Sequence, residues 1–82
     1  MSENRVAVVS VIVENTEHTD RLNEVLHEYG RYIIGRMGIP YRAKDISVLS
    51  VVMDAPQEAI NALTGKLGMI EGVSAKTLFS KF

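Results

Sequence analysis

The chain has 82 residues and a mass of 9.1 kDa, which is the size of one small domain. Nine basic residues against ten acidic ones give a net charge of −1, which excludes binding to nucleic acid or to an anionic membrane through overall charge. The sequence contains no cysteine, so disulfides, thiolate metal sites and a cysteine nucleophile are excluded as well. A chain of this length buries only roughly 60–65% of the surface that its unfolded form exposes, so a partner surface would add to its stability.

The composition is that of a globular protein, because 46% of the residues are hydrophobic and 23% are charged. The longest apolar stretch is far too short to span a bilayer. The chain begins with Met, Ser, Glu and Asn, which is unlike the basic start of a secretory signal. We therefore predict one domain over residues 1–82, a cytoplasmic location and no membrane partner.

The first half of the chain predicts a strand, a helix and a second strand. Residues 5–14 (RVAVVSVIVE) are too short and too rich in β-branched side chains to favour a helix. An apolar stripe at helical spacing then predicts a helix over residues 17–29, which Gly30 ends. This stripe consists of Leu22, Val25, Leu26 and Tyr29. Residues 31–41 (RYIIGRMGIPY) contain two glycines and a proline, which favours an irregular edge strand.

The second half repeats this order as strand, helix and strand. Residues 46–53 (ISVLSVVM) predict a strand, and Pro56 is suited to the first turn of the helix that follows. Ile60, Leu63 and Leu67 continue the helical period, and Gly68 is suited to a left-handed stop. A glycine inside this helix, at position 65, predicts a close approach of the helix to the sheet. Residues 73–79 predict the last strand.

The order of these elements predicts an α+β domain of the ferredoxin-like βαββαβ type, with a four-stranded antiparallel sheet and both helices on one face. The second face of that sheet has no element left to cover it. A sheet face in water normally shows alternating polar residues. Strands one and three are instead apolar on both sides, interrupted only by Ser10 and Ser50.

The uncovered face is predicted to carry about six large apolar side chains. These are Val6, Val8, Ile12, Ile46, Val48 and Val52. They would form a patch of several hundred Å², and covering it is worth on the order of 10 kcal/mol before association costs. We therefore predict a homo-oligomer, a dimer or tetramer, that assembles through the sheet face or the sheet edges. The alternative is that these positions are tolerated apolar surface.

Several segments of the chain resemble one known family. They are residues 35–38 (GRMG), 41–42 (YR), 46–53, 62–68 (ALTGKLG) and 72–73 (GV). Together they are similar to the iron-only ([FeFe]) hydrogenase system regulators, over essentially the whole chain. That family resembles ACT-like regulatory domains and the metal-sensing C-terminal domain of the nickel-responsive repressor. The resemblance implies an association with [FeFe]-hydrogenase and its maturation, and a regulatory module that is not an enzyme.

Some features of the wider relatives are missing here. The Pro-Gly turn with which ACT domains receive amino acids is replaced by residues 15–18 (NTEH), and the several His and the Cys of the nickel site are reduced to His18 and His27. No room for a DNA-binding segment precedes strand one, so no direct contact with nucleic acid is expected. No catalytic pairing of Ser, His and acid is found in the sequence, and no cofactor is predicted.

A basic segment follows an acidic one. Residues 1–30 contain six acids and two arginines, whereas residues 31–44 contain four basic residues and no acid. Gly35 and Gly38 would let backbone N–H groups approach an anion. We therefore predict a site for a small anionic effector at the end of strand one and the segment 35–42, where Asn15, Thr16, Arg36 and Tyr41 could converge across a subunit boundary. Its residues are Asn15, Thr16, Gly35, Arg36, Met37, Gly38 and Tyr41. The basic segment could equally pair with the acidic helix of a second subunit or a protein partner, or be a solvated surface.

Glu24 and His27 raise a second hypothesis, a metal-binding or metal-sensing module for hydrogenase assembly. Their spacing places both side chains on one helix face, with Asp20 a turn earlier. A carboxylate-bridged site needs a second such motif, and the second helix contains no histidine. The acids also recur opposite the apolar stripe, where a solvated surface belongs. No metal is predicted, and Glu24 and His27 are weak candidates.

Overall fold

Six regular elements form one antiparallel sheet and a layer of two helices in the computed structural model, which describes residues 4–14 and 16–81. The elements are β1 (Asn4–Val13), α1 (Thr19–Glu28), β2 (Ile33–Tyr41), β3 (Ile46–Pro56), α2 (Gln57–Gly68) and β4 (Val73–Phe79). The strands lie in the order β2-β3-β1-β4, and all three pairings are antiparallel. The predicted α+β, ferredoxin-like βαββαβ fold is therefore confirmed.

One face of the sheet, the helix-covered face, forms the hydrophobic core with both helices. Its side chains from the two central strands are Ala7, Val9, Val11, Val13, Leu49, Val51, Met53 and Ala55. The helices contribute Leu22, Val25, Leu26, Ile60, Leu63 and Leu67. All of these side chains are buried, as the period of two in the strands and the helical stripes predict.

Two helix boundaries differ from the predictions. The first helix begins at Thr19, after a short 3-10 turn over Thr16–His18. Strand β3 extends to Pro56, which stays in extended backbone as the N-cap of α2 because its φ of −58° is compatible with a ψ of 145°.

Two glycine predictions are wrong. Gly68 is the last residue of α2, and Met69 after it keeps a right-handed helical conformation. The positive φ of 80° that reverses the chain before β4 belongs to Gly72 instead. A Cβ placed on Gly65 would meet nothing within 4 Å, so no close approach to the sheet explains this glycine.

Strand β2 is the irregular edge strand that its glycines and proline predict. Its pairing with β3 shifts by one residue between Ile33 and Gly35, which is a bulge. All of its residues from Ile34 to Tyr41 are exposed, on both sides of the strand. Among residues 4–14 and 16–81, no helix is long and apolar enough to cross a membrane.

Candidate functional site

The second face of the sheet, the open face, is not covered by any described element. It consists of Val6, Val8, Ser10 and Ile12 from β1, Gly35, Met37, Ile39 and Tyr41 from β2, Ile46, Val48, Ser50, Val52 and Asp54 from β3, and Ser74, Lys76 and Leu78 from β4. The six side chains predicted for this face all lie on it. The edge strands add larger apolar groups, since Met37 is 63% exposed and Leu78 is 74% exposed.

The strand register arranges the open face in rows that cross the sheet. The middle row is Met37, Ser50, Ser10 and Lys76, so the two serines lie directly opposite each other on neighbouring strands. The row on one side joins Ile39, Val48 and Ile12, and the row on the other side joins Val52, Val8 and Leu78. The polar side chains of Ser50, Ser10 and Lys76 thus separate two apolar bands, and Met37 ends their row at the β2 edge. An exposed apolar area of this extent is typical of an interaction surface.

Strand β2 divides the predicted effector residues between the two faces. Gly35, Met37 and Tyr41 pair with open-face residues of β3, whereas Arg36 and Gly38 pair with the buried Val51 and Leu49 and lie on the helix side. Asn15 lies outside the described residues. Thr16 begins the 3-10 turn before α1. Within one protomer, Arg36 and Tyr41 therefore do not face the same surface.

Two adjoining clefts lie on the helix side of β2, next to α1, and Arg36 and Asn23 line both of them. The first, of about 310 Å³, is also lined by His27, Leu26 and Ile33. The second has a volume of about 320 Å³. Its apolar lining includes Val13, Leu22, Pro40 and Leu49, and its polar lining includes Thr19 and Ser47. Neither cleft is lined by an acidic residue among those at positions 4–14 and 16–81.

The sequence analysis did not identify Asn23. Its only signal is its spacing of four residues from His27 on α1, which places both side chains on one helix face. The side chains of Arg36, Asn23 and His27 make no hydrogen bond or ion pair among residues 4–14 and 16–81. Three polar side chains with open hydrogen-bonding capacity therefore meet at these clefts.

Charged side chains of the two helices form two close ion pairs. Arg21 binds Glu24 at 3.1 Å, and Lys66 of α2 binds Glu28 of α1 at 2.8 Å. The hydrogen bond from Lys66 lowers the pKa of the Glu28 carboxyl, and the same bond raises the pKa of Lys66, with Tyr29 adding to it. A third cleft, of about 320 Å³, includes Arg21, Lys66 and Glu71 and so contains charges of both signs.

The pair Glu24 and His27 has no third metal ligand in the part of the chain that the structure describes. No group of three or more His, Asp or Glu side chains able to hold a metal ion is found there. The Glu24 carboxylate is engaged by Arg21, and His27 lines the first cleft beside Arg36. His27 therefore shares a cleft with the Arg36 guanidinium and does not lie in a cluster of carboxylates.

Comparison with solved structures gives matches over nearly the whole chain. Uncharacterized protein TM1266 from Thermotoga maritima is 36% identical, with a TM-score of 0.91, over 96% of this chain and 100% of that chain. A formyltetrahydrofolate deformylase from Pseudomonas putida KT2440 is 11% identical, with a TM-score of 0.64, over 89% of this chain and 28% of that one. The apo form of CPII, a nitrogen regulatory PII-like protein from Thiomonas intermedia K12, is 13% identical, with a TM-score of 0.53, over 93% and 91% of the two chains. The last two matches show the fold alone.

A search of curated proteins gave no significant match. The model of one protein family matches residues 5–77, which is most of the chain. The resemblance that the sequence indicates is therefore confirmed. The chain belongs to the TM1266-like family, described as "Iron-only hydrogenase system regulator, putative".

Proposed function

We propose that this chain is a non-enzymatic regulatory module of the iron-only hydrogenase system that works as a homo-oligomer assembled through the open face of its sheet. The observation that carries the proposal is the pair of apolar bands on that face. The family's description as a regulator supports the regulatory part of the proposal. The exposed apolar side chains support the assembly.

The area of the open face reaches the lower limit for a specific dimer interface. Four strands are about 19 Å wide, and the length that they share is about 25 Å, because strands lie about 4.8 Å apart and rise about 3.3 Å per residue. The face therefore offers on the order of 500 Å² on each protomer, or roughly 1,000 Å² in a face-to-face dimer. That is the lower limit for a specific interface.

The chemistry of the face also suits a second copy of itself. A two-fold axis parallel to the strands, between β1 and β3, would place each apolar band against the same band of the other protomer, and Lys76 opposite Met37 rather than opposite a second Lys76. The serine hydroxyls would then meet each other and keep their hydrogen bonds. An arrangement through the edge strands β2 and β4 is the competing geometry.

Regulation would act through β2. Its open side contributes Met37 and Ile39 to the proposed interface, and its helix side contributes Arg36 to the two clefts. An effector bound at Arg36 would thus contact the same strand that the second protomer contacts. A ligand that binds one arrangement of this strand more tightly shifts the assembly toward that arrangement.

A charge placed in an apolar band tests the assembly. Ile12→Lys lies at the centre of the open face, and Asn61→Lys on the exposed side of α2 is the matched control. We expect sedimentation velocity to give an oligomer for the wild type and for Asn61→Lys, and a folded monomer for Ile12→Lys, because burying an unpaired ammonium opposes association.

Circular dichroism checks that each variant is folded. Leu78→Lys, at the most exposed apolar position of the open face, serves as the second variant if Ile12→Lys lowers stability. An Ile12→Lys and a Leu78→Lys protein that both keep the wild-type mass would contradict the face-to-face assembly and favour the sheet edges.

A further inference from the structure

The two clefts beside β2 combine one unpaired cation with apolar walls. Arg36 lines both clefts and has no acidic partner among the described residues. A guanidinium without a carboxylate partner is a ready anion receptor, since its N–H groups form a planar fork. A ligand that binds beside Arg36 is therefore expected to carry a negative charge.

The second cleft limits the rest of the ligand. Its walls include Val13, Leu22 and Leu49, all three of them buried residues of the core. Its volume of about 320 Å³ lies at the lower end of the range for small-molecule sites. An alkyl group fits such walls, whereas a nucleotide would leave polar atoms without partners.

We propose that the clefts bind a small carboxylate with a short apolar group, with the carboxylate on Arg36 and the apolar group against the walls of the second cleft. Arg36 would hold both carboxylate oxygens through parallel N–H bonds. The Asn23 amide, which lines both clefts, would donate to the same group, and His27 flanks it from the first cleft. Inorganic phosphate fits less well, because it has no apolar group to cover Val13, Leu22 and Leu49 in the second cleft.

The third cleft, which includes Arg21, Lys66 and Glu71, is less suited to an anion than the clefts at Arg36. There Arg21 and Lys66 are already paired with Glu24 and Glu28, and Glu71 adds a negative charge. An anion at that cleft would have to displace a carboxylate of the protein itself. At Arg36 it displaces only water.

The inference deepens the proposed function, since it names the chemical class of the effector, and its test is separate from assembly. The probes are sodium butyrate, its neutral isostere butyramide, and inorganic phosphate, each titrated into ¹⁵N-labelled protein and followed by NMR. We expect butyrate to shift the Arg36 side-chain N–H and the Asn23 amide with saturation. Butyramide and phosphate are expected to bind at least tenfold more weakly.

Matched arginine variants separate a built site from general charge. Arg36→Gln is expected to weaken butyrate binding at least tenfold, and Arg42→Gln, with the same charge change outside both clefts, less than twofold. Equal effects of the two variants, or equal binding of butyrate and phosphate, would overturn the carboxylate site. The same titration in the Ile12→Lys background shows whether binding persists without assembly, so that failure of one proposal is distinguishable from failure of the other.

Discussion

The two faces of the sheet are built from alternating residues of the same strands, yet they meet very different surroundings. On the helix-covered face, Val9 and Val51 have no exposed surface. On the open face, Ile12 is 42% exposed and Leu78 is 74% exposed. A strand that is apolar on both sides needs two covering layers, and the two helices supply only one. In the homo-oligomer proposed above, another copy of the chain supplies the second layer.

A pair of methionines in neighbouring strands tests this difference most strongly. Met53 on the helix-covered face is fully buried, whereas Met37 on the open face is 63% exposed. Met53→Ala is expected to lower the free energy of unfolding by about 2–5 kcal/mol, because it leaves a cavity, and Met37→Ala by less than about 0.5 kcal/mol. Urea unfolding in the Ile12→Lys background removes the contribution of assembly from both values.

A similar loss of unfolding free energy in Met53→Ala and Met37→Ala would contradict this difference between the two faces. It would mean that the open face is already covered within one protomer. In the Ile12→Lys background we expect only Met53→Ala to lower the free energy of unfolding. If Met37→Ala lowers it in the associating protein alone, the two faces differ because a partner covers the open one. The second methionine would then be stabilised by the partner rather than by its own chain.

A substitution on the outer surface of the helix layer is expected to change the free energy of unfolding by a smaller amount, and to raise it. Gly65 lies in α2, is exposed, and would meet nothing within 4 Å if it carried a Cβ. Gly65→Ala is therefore expected to raise the free energy of unfolding by about 1 kcal/mol, since glycine is a poor helix former. Thermal unfolding measures the change. A destabilised Gly65→Ala protein would show that this part of α2 is tightly packed in the assembly.

The smallest expected effect comes from the ion pair that joins the two helices. Because the Lys66 hydrogen bond holds the pKa of Glu28 below its usual range, this contribution to stability is present at neutral pH and is lost as the pH falls through that lowered value. The raised pKa of Lys66 extends the contribution to high pH, until Lys66 deprotonates. Both side chains are exposed, so the effect on stability is small.

Carboxyl NMR titration measures this pair directly. In Lys66→Met the pKa of Glu28 is expected to return toward its usual range, while Arg21→Met should change it much less because Arg21 acts only at a distance. An unchanged Glu28 titration in Lys66→Met would show that the two helices are not joined in this way in solution.

The sequence predicts the fold of this chain because its strands and helices have clear periods. The alternation in β1 and β3 assigns each valine to the correct face, and the stripe of α1 identifies its buried side. The glycine stop at Gly68 could not be predicted reliably, because Gly68 and Gly72 both follow the apolar stripe of α2 and only the three-dimensional path decides which of them takes a positive φ.

The clefts at Arg36 were beyond sequence reasoning for a related reason. The bulge between Ile33 and Gly35 sets which residues of β2 face the helices, and a shift of one residue exchanges the two sides. Sequence spacing identified Arg36 as a basic residue near two glycines, but it grouped Arg36 with Tyr41, which lies on the opposite side. Asn23 joins the site only through the packing of α1 against this edge.

The central claim, that another copy covers the open face, is tested most directly by the mass of the wild-type protein in dilute solution. Light scattering coupled to size-exclusion chromatography measures it over a wide range of concentrations. If another copy covers the open face, we expect a mass that is a multiple of the 9.1 kDa chain. This mass should fall toward that of a single chain only on extreme dilution. A constant mass of one chain at all concentrations would contradict it.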